Sequence, residues 1–210
     1  MFITALSGAA IALAISAPPG PVAMETIRRG LRGGFGPALR VQLGSIIGDL
    51  TWCLAALMGL APLMQVAWIR IALGVIGVGV LLYLGGLGIH DALKPPAAST
   101  TAAFENKGAF RSGLWISMAN PMAVGYWLGV GGTLVATGVI GASLPQTTAF
   151  VLGFVAAVFV WALVMALAVR FGQQWMTPAL FRVVTLACGL TLIFFGLSLA
   201  SQMLVNGLNG

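Results

Sequence analysis

The 210-residue chain is 60% hydrophobic and 7% charged, with a mean hydropathy of +1.04. A soluble domain carries about 25% charged residues, so the composition argues against a soluble globular protein, a disordered chain or a coiled coil. What remains is an all-α integral membrane protein: at about 20 apolar residues per spanning helix, the length allows roughly six spans and no separate soluble domain.

Charges and turn formers divide the chain into six apolar stretches. Span one covers Phe2–Met24. It has no Lys or Arg ahead of its apolar core and exceeds a typical signal h-region, so it reads as a helix and not a leader. Near its end stands Pro18-Pro19-Gly20-Pro21. Prolines remove backbone donors and clash with preceding carbonyls. In lipid the freed carbonyls need protein or a wet cavity as partners, so the run reads as a broken helix lining a pathway, with a packing kink as the plainer alternative. Loop one, residues 25–40, holds Glu25, Arg28, Arg29, Arg32 and Arg40. Glu25 lies three and four residues before two arginines, the spacing of a surface ion pair at a helix end; a gate or a contact to a substrate ammonium is the sharper reading.

Span two, Val41–Met64, contains Asp49, the one carboxylate inside a span. A buried charge at that depth costs several kcal/mol, so such residues usually face a cavity and serve transport or proton relay. The bland alternative is a carboxyl satisfied by a hydroxyl such as Ser45 or by a nearby Arg. Trp52 follows, either along the pathway or in aromatic packing, and Gly44-x3-Gly48 permits close helix contact. Span three, Ile69–Ile89, ends at His90-Asp91, read as a solvated polar cap. A Pro- and Ser/Thr-containing linker runs from Lys94 to Asn106. Span four, Ser112–Val139, breaks at Asn120-Pro121 and carries Gly125-x3-Gly129. Span five, Gln146–Val169, holds Trp161, which like Trp52 stands either along the pathway or in aromatic packing, and span six covers Val183–Val205. Trp68, Trp115 and Trp175 fall near span ends, where interfacial anchors sit. Cys53 and Cys188 lie deep in apolar runs with no neighbouring Cys or His, so they read as buried free thiols.

The net charge of +6 comes from ten Lys+Arg against four Asp+Glu. A nucleic-acid partner needs a dense basic face; here the basic residues are scattered between apolar runs and report orientation instead. Nine of the ten fall in loops one, three and five, which the positive-inside rule places in the cytoplasm, with both termini outside.

The two halves resemble each other. Leu43-Gly44, Trp52 and Leu54 recur as Leu152-Gly153, Trp161 and Leu163, an offset of 109. Arg70 and Gly77 recur as Arg182 and Gly189 at 112, and Gly20-Pro21-x-Ala23 matches Asn120-Pro121-x-Ala123 at 100. Residues 1–93 and 110–210 therefore read as two three-helix repeats joined by a cytoplasmic linker, 94–109. An odd number of spans per repeat inverts the second one, the architecture that places a substrate site near the midplane between halves. Gly20, Asp49 and Asn120 each lie eight or nine residues from a basic residue of an odd loop. At about 1.5 Å per residue that is ~12–14 Å, close to half the hydrocarbon thickness.

Enzyme chemistry finds little support: there is no His cluster, no paired intramembrane acids, no nucleophile elbow and no phosphate-binding loop. No metal or cofactor is expected. Together, Pro19-Gly20-Pro21, the basic run Arg28-Arg29-Gly30-Leu31-Arg32-Gly33, Gly48-Asp49, and Phe110-x2-Gly113 leading to Asn120-Pro121 resemble the LysE/RhtB amino-acid exporter family over essentially the whole chain. Where members often carry Asn or Gln after Pro-Gly-Pro, this chain has Val22-Ala23. The resemblance implies export of amino acids or close derivatives across the bacterial inner membrane, linked to the proton motive force. It points to Pro19, Gly20, Pro21, Asp49, Asn120 and Pro121. The expected partners are a small zwitterion and the bilayer, with a homodimer left open. A small cation or metal exporter of related architecture and a membrane scaffold or subunit are the alternatives.

Overall fold

A computed structural model describes residues 1–17, 20–57, 67–93, 108–120, 127, 143–175 and 177–208. All regular structure among them is α-helical: α1 Phe2–Ser16, α2 Pro21–Gly33, α3 Phe35–Leu57, α4 Ala67–Leu93, α5 Ala109–Met118, α6 Leu144–Gln173 and α7 Pro178–Leu208. Among the described residues, Gly74–Leu93, Leu144–Gln173 and Pro178–Val205 are long and apolar enough to cross a bilayer; α1 and α2, bent by 71°, are together long and apolar enough for one broken span or a re-entrant pair.

Span one is thus two helices. Gly20 is extended (φ −123°, ψ −173°) and caps α2, with Pro21 at the first helical position, where its fixed φ suits the helix and its missing N–H costs nothing. The expected loop over 25–40 is corrected: α2 continues to Gly33, and α3 starts at Phe35. The basic run stays helical because its charges are paired inside the bundle and not solvated in a loop. Only Gly34 separates α2 from α3, at φ 79°, ψ −154°, a conformation that essentially glycine alone adopts. Gly34→Ala is expected to cost about 1–3 kcal/mol, read as a lowered melting temperature in detergent.

α5 ends at Met118, and Asn120 is already outside the helix. The residue before a proline is pushed away from the α region, so Pro121 explains the stop.

α1 packs on α6, α3 on α5 and on α6, and α4 on α7, while α2 touches all of α3, α5, α6 and α7 and meets α4 only briefly. Glycines bring three of these pairs to backbone contact, α4·α7 through Gly85, Gly88 and Gly189 and two more as follows. On α1·α6, a Cβ at Gly8 would overlap the Phe150 carbonyl oxygen, and one at Gly153 that of Ala5. On α3·α5, a Cβ at Gly113 would overlap the Val41 oxygen, and one at Gly44 that of Phe110. One apolar core joins α1, α3 and α6 around Ala12, Ile46, Trp52, Phe150 and Phe154; another joins α4 and α7 around Leu81, Leu84, Leu192 and Leu199. Outward faces carry Val75, Tyr83, Phe194 and Leu197, all more than half exposed, as lipid-facing surfaces do.

Candidate functional site

Asp49 meets the second half of the chain. Ser117 Oγ, on α5, donates to Asp49 Oδ1 at 2.6 Å. The approach depends on Gly48, where a Cβ would lie 2.5 Å from Ser117 Oγ and 3.1 Å from the Met118 nitrogen. Three residues past Ser117 comes the helix break at Asn120, whose N–H donates back to the Ser117 carbonyl at 3.3 Å. Asp49 and Asn120 are thus joined through one serine.

Gly20 reaches the same level by register. α2 and α3 form a hairpin about Gly34, and Gln42 Nε2 donates to Thr26 Oγ1 at 3.0 Å. Each of these residues stands eight positions from Gly34. Continuing along the hairpin, Gly20 and Asp49 stand fourteen and fifteen positions from the turn, ~21 Å along the helices. Pro19 and Pro121 lie outside the described residues.

Between the turn and Asp49 runs a buried polar stripe. Gln42, Ser45 and Asp49 are spaced i, i+3, i+7, one face of α3. Ser45 does not satisfy Asp49 as expected. Its hydroxyl donates to the Gln42 carbonyl at 2.9 Å, a local bond that helical serines commonly make. The hydroxyl on Asp49 is Ser117's, which the sequence reading missed; its place three residues before Asn120 was the available signal. Thr26, fully buried, donates to the Val22 carbonyl at 2.7 Å and accepts from Gln42.

At the turn end of the stripe is a cluster of charges. Arg28 Nε and Nη2 donate to the two oxygens of Glu25 at 2.8 and 2.9 Å, and Arg29 Nε donates to Glu25 Oε1 at 2.5 Å. Arg28 Nη1 donates to Asp91 Oδ2 at 2.5 Å, and Arg32 Nη1 lies 2.9 Å from Asp91 Oδ1. The expected pairing of Glu25 with Arg28 and Arg29 is made, but its location is corrected: Glu25 is 0% exposed and Arg28 2%. A single turn of α2 buries a carboxylate because two guanidiniums and the helices around it replace water. The solvated cap at His90-Asp91 is corrected as well. His90 is exposed, while Asp91 turns inward to the two arginines.

Trp52 is 7% exposed, inside the α1·α3·α6 apolar core, with no hydrogen-bond partner for its indole N–H among the described residues. It packs. Trp161 is half-buried on α6, and no described contact joins it to Asp49. Val158, 109 positions after Asp49, sits in the same apolar core as Trp52. Cys53 and Cys188 are free and buried.

An all-helical bundle with lipid-facing apolar surfaces, a polar seam inside it and a carboxylate beside the end of α5 fits a membrane transporter. The chain belongs to the LysE type translocator family, whose model matches residues 13–203. It is 38% identical over 182 residues to "Chemotactic transduction protein ChpE" of Pseudomonas aeruginosa, covering 86% of this chain and 89% of that protein. It is 27% identical over 192 residues to the "Putative amino acid efflux protein YcgF" of Bacillus subtilis, covering 91% of this chain and 92% of that one. No solved structure matches it.

Proposed function

We propose that this translocator exports amino acids or small amino-acid derivatives across the bacterial inner membrane, driven by the proton motive force, through a site formed by Asp49, Ser117 and the breaks at Gly20 and Asn120. The observation that carries the reading is the Asp49–Ser117 contact at the level of both breaks. An acid inside a span serves proton relay or charge balance, and interrupted helices offer carbonyls and helix N-termini to an ammonium and a carboxylate. The name of YcgF points to the same substrate class.

The packing supports two inverted repeats of three spans. Exchanging the halves turns the α1·α6 contact into α5·α3. Ala5 and Gly8 correspond to Phe110 and Gly113 at an offset of 105, and Phe150 and Gly153 to Val41 and Gly44 at 109. The first offset exceeds the 100 at the breaks because thirteen residues separate Gly8 from Pro21 but only eight separate Gly113 from Pro121. In this reading the Gly34 turn and the linker face the cytoplasm, with both termini outside.

Ser117→Ala removes the hydrogen bond to Asp49, worth about 0.5–1.5 kcal/mol or more. Export is expected to fall about tenfold with the amount of folded protein unchanged, measured as initial efflux rate per transporter. The proposal itself is tested by overproducing the protein and screening growth resistance to a panel of amino acids and toxic analogues, then loading right-side-out membrane vesicles with the best candidate. Export predicts resistance and proton-gradient-dependent movement of the same compound; vesicles that retain every compound equally with and without the protein would instead favour a non-transport role, to which the name of ChpE points.

A further inference from the structure

The five charged groups at the turn form an alternating ladder, Arg29–Glu25–Arg28–Asp91–Arg32. Four of them belong to α2 and one, Asp91, to α4. Among the described charge pairs, those of Asp91 are the ones that tie α4 to α2. Its carboxylate is held end-on by two guanidiniums, Oδ2 on Arg28 and Oδ1 on Arg32. Each oxygen thus takes one charge-assisted bond from a different arginine, and such bonds are shorter and stronger than neutral ones. The Arg28 side chain is 3% exposed and that of Asp91 13%, so the pair is shielded from water, and a group that displaces Asp91 must itself bring a negative charge. The fork stands at the end of the polar stripe that leads through Thr26, Gln42 and Ser45 to Asp49.

We propose that Arg28 and Arg32 form a carboxylate-binding site which Asp91 occupies in this conformation, and from which the carboxylate of an entering zwitterion displaces it, freeing α2 from α4 at the mouth of the stripe. The ligand rests on the export reading; the fork and its occupant do not. Displacement exchanges one carboxylate for another, so the guanidiniums never lose their counter-charge and the mouth opens without stranding a buried cation.

Cys188 is a built-in reporter. It is 3% exposed on α7, next to Gly189, which packs against Gly88 of α4, where the Arg28 side chain also lies. In full-length protein with Cys53→Ala in purified membranes, Cys188 should react slowly with a water-soluble maleimide. With Asp91→Ala added, the reaction should run about tenfold faster or more, because the charge pairs that hold α4 to Arg28 and Arg32 are gone. Acetate, which fits the vacated fork, should restore protection; chloride at equal ionic strength and acetamide should not. Asp91→Glu should stay protected. Arg32→Gln, at the more exposed edge of the ladder, should speed labelling with no rescue by acetate, and it serves where Asp91→Ala does not yield folded protein by size exclusion. Unchanged Cys188 protection in both variants, or rescue by chloride or acetamide as good as by acetate, overturns the site. The thiol result does not depend on finding an exported compound, so a failed transport assay and a failed fork are separate outcomes.

Discussion

Asp49→Asn is expected to yield a folded protein that no longer moves its substrate uphill. The amide keeps the size of the carboxyl and can still accept from Ser117 Oγ, now 2.6 Å from Asp49 Oδ1, so the Gly48 contact with α5 survives. What disappears is a group able to take up and release a proton, or to balance a substrate ammonium, inside the span. Efflux against a gradient from vesicles with an imposed proton gradient should fall by about a hundredfold or more, since a side chain without a titratable proton leaves no coupling. Downhill exchange of labelled for unlabelled substrate should survive in part. Normal uphill export by the variant would remove Asp49 from the coupling step. A variant absent from the membrane fraction would show that the acid serves the fold.

The second large effect is on assembly. Gly113→Val and Gly44→Val each put a side chain onto a backbone carbonyl of the opposing helix, where even a Cβ overlaps the Val41 or Phe110 oxygen. No flexible side chain can move aside, so α3 and α5 must separate, carrying Ser117 away from Asp49. Each is expected to destabilise the protein by about 3 kcal/mol or more, the upper end of overpacking costs, read as loss of the monodisperse peak on heating in detergent. Gly153→Val and Gly8→Val should behave alike at α1·α6, where Ala5 and Phe150 oxygens stand in the way. Gly79→Ala and Gly86→Ala, whose added Cβ meets nothing within 4 Å, should be tolerated. Equal tolerance at all six positions would contradict the backbone contacts that tie the two halves together.

The parts legible in the sequence share a physical origin. Composition alone implied a membrane protein because nearly every outward face is apolar, as Val75 and Phe194 show. The interruptions at Gly20 and Asn120 could be located because proline acts locally, on its own φ and on its predecessor. Asp49 stood out because a lone acid in an apolar run has few explanations. The parts that were hidden depend on who faces whom. Charges at Arg28 and Arg29 look like a solvated loop when neighbours are unknown; in the bundle they are the inner face of α2. Asp91 looked like a cap because nothing in its own helix reveals the two arginines sixty-three and fifty-nine residues earlier. Ser117 was one serine among several until Gly48 brought α3 against it. Trp52, an attractive pathway residue by type, is a core residue by position.

The claim on which the rest depends is that Asp49 looks into water and not into acyl chains. Asp49→Cys, with Cys53→Ala and Cys188→Ala, puts a thiol at that point, and its reaction rates with a membrane-impermeant methanethiosulfonate and with a lipid-soluble maleimide can be compared in intact vesicles. The account predicts brisk labelling by the impermeant reagent, slowed when the exported compound is added. A thiol reached by the lipid-soluble reagent alone would contradict it.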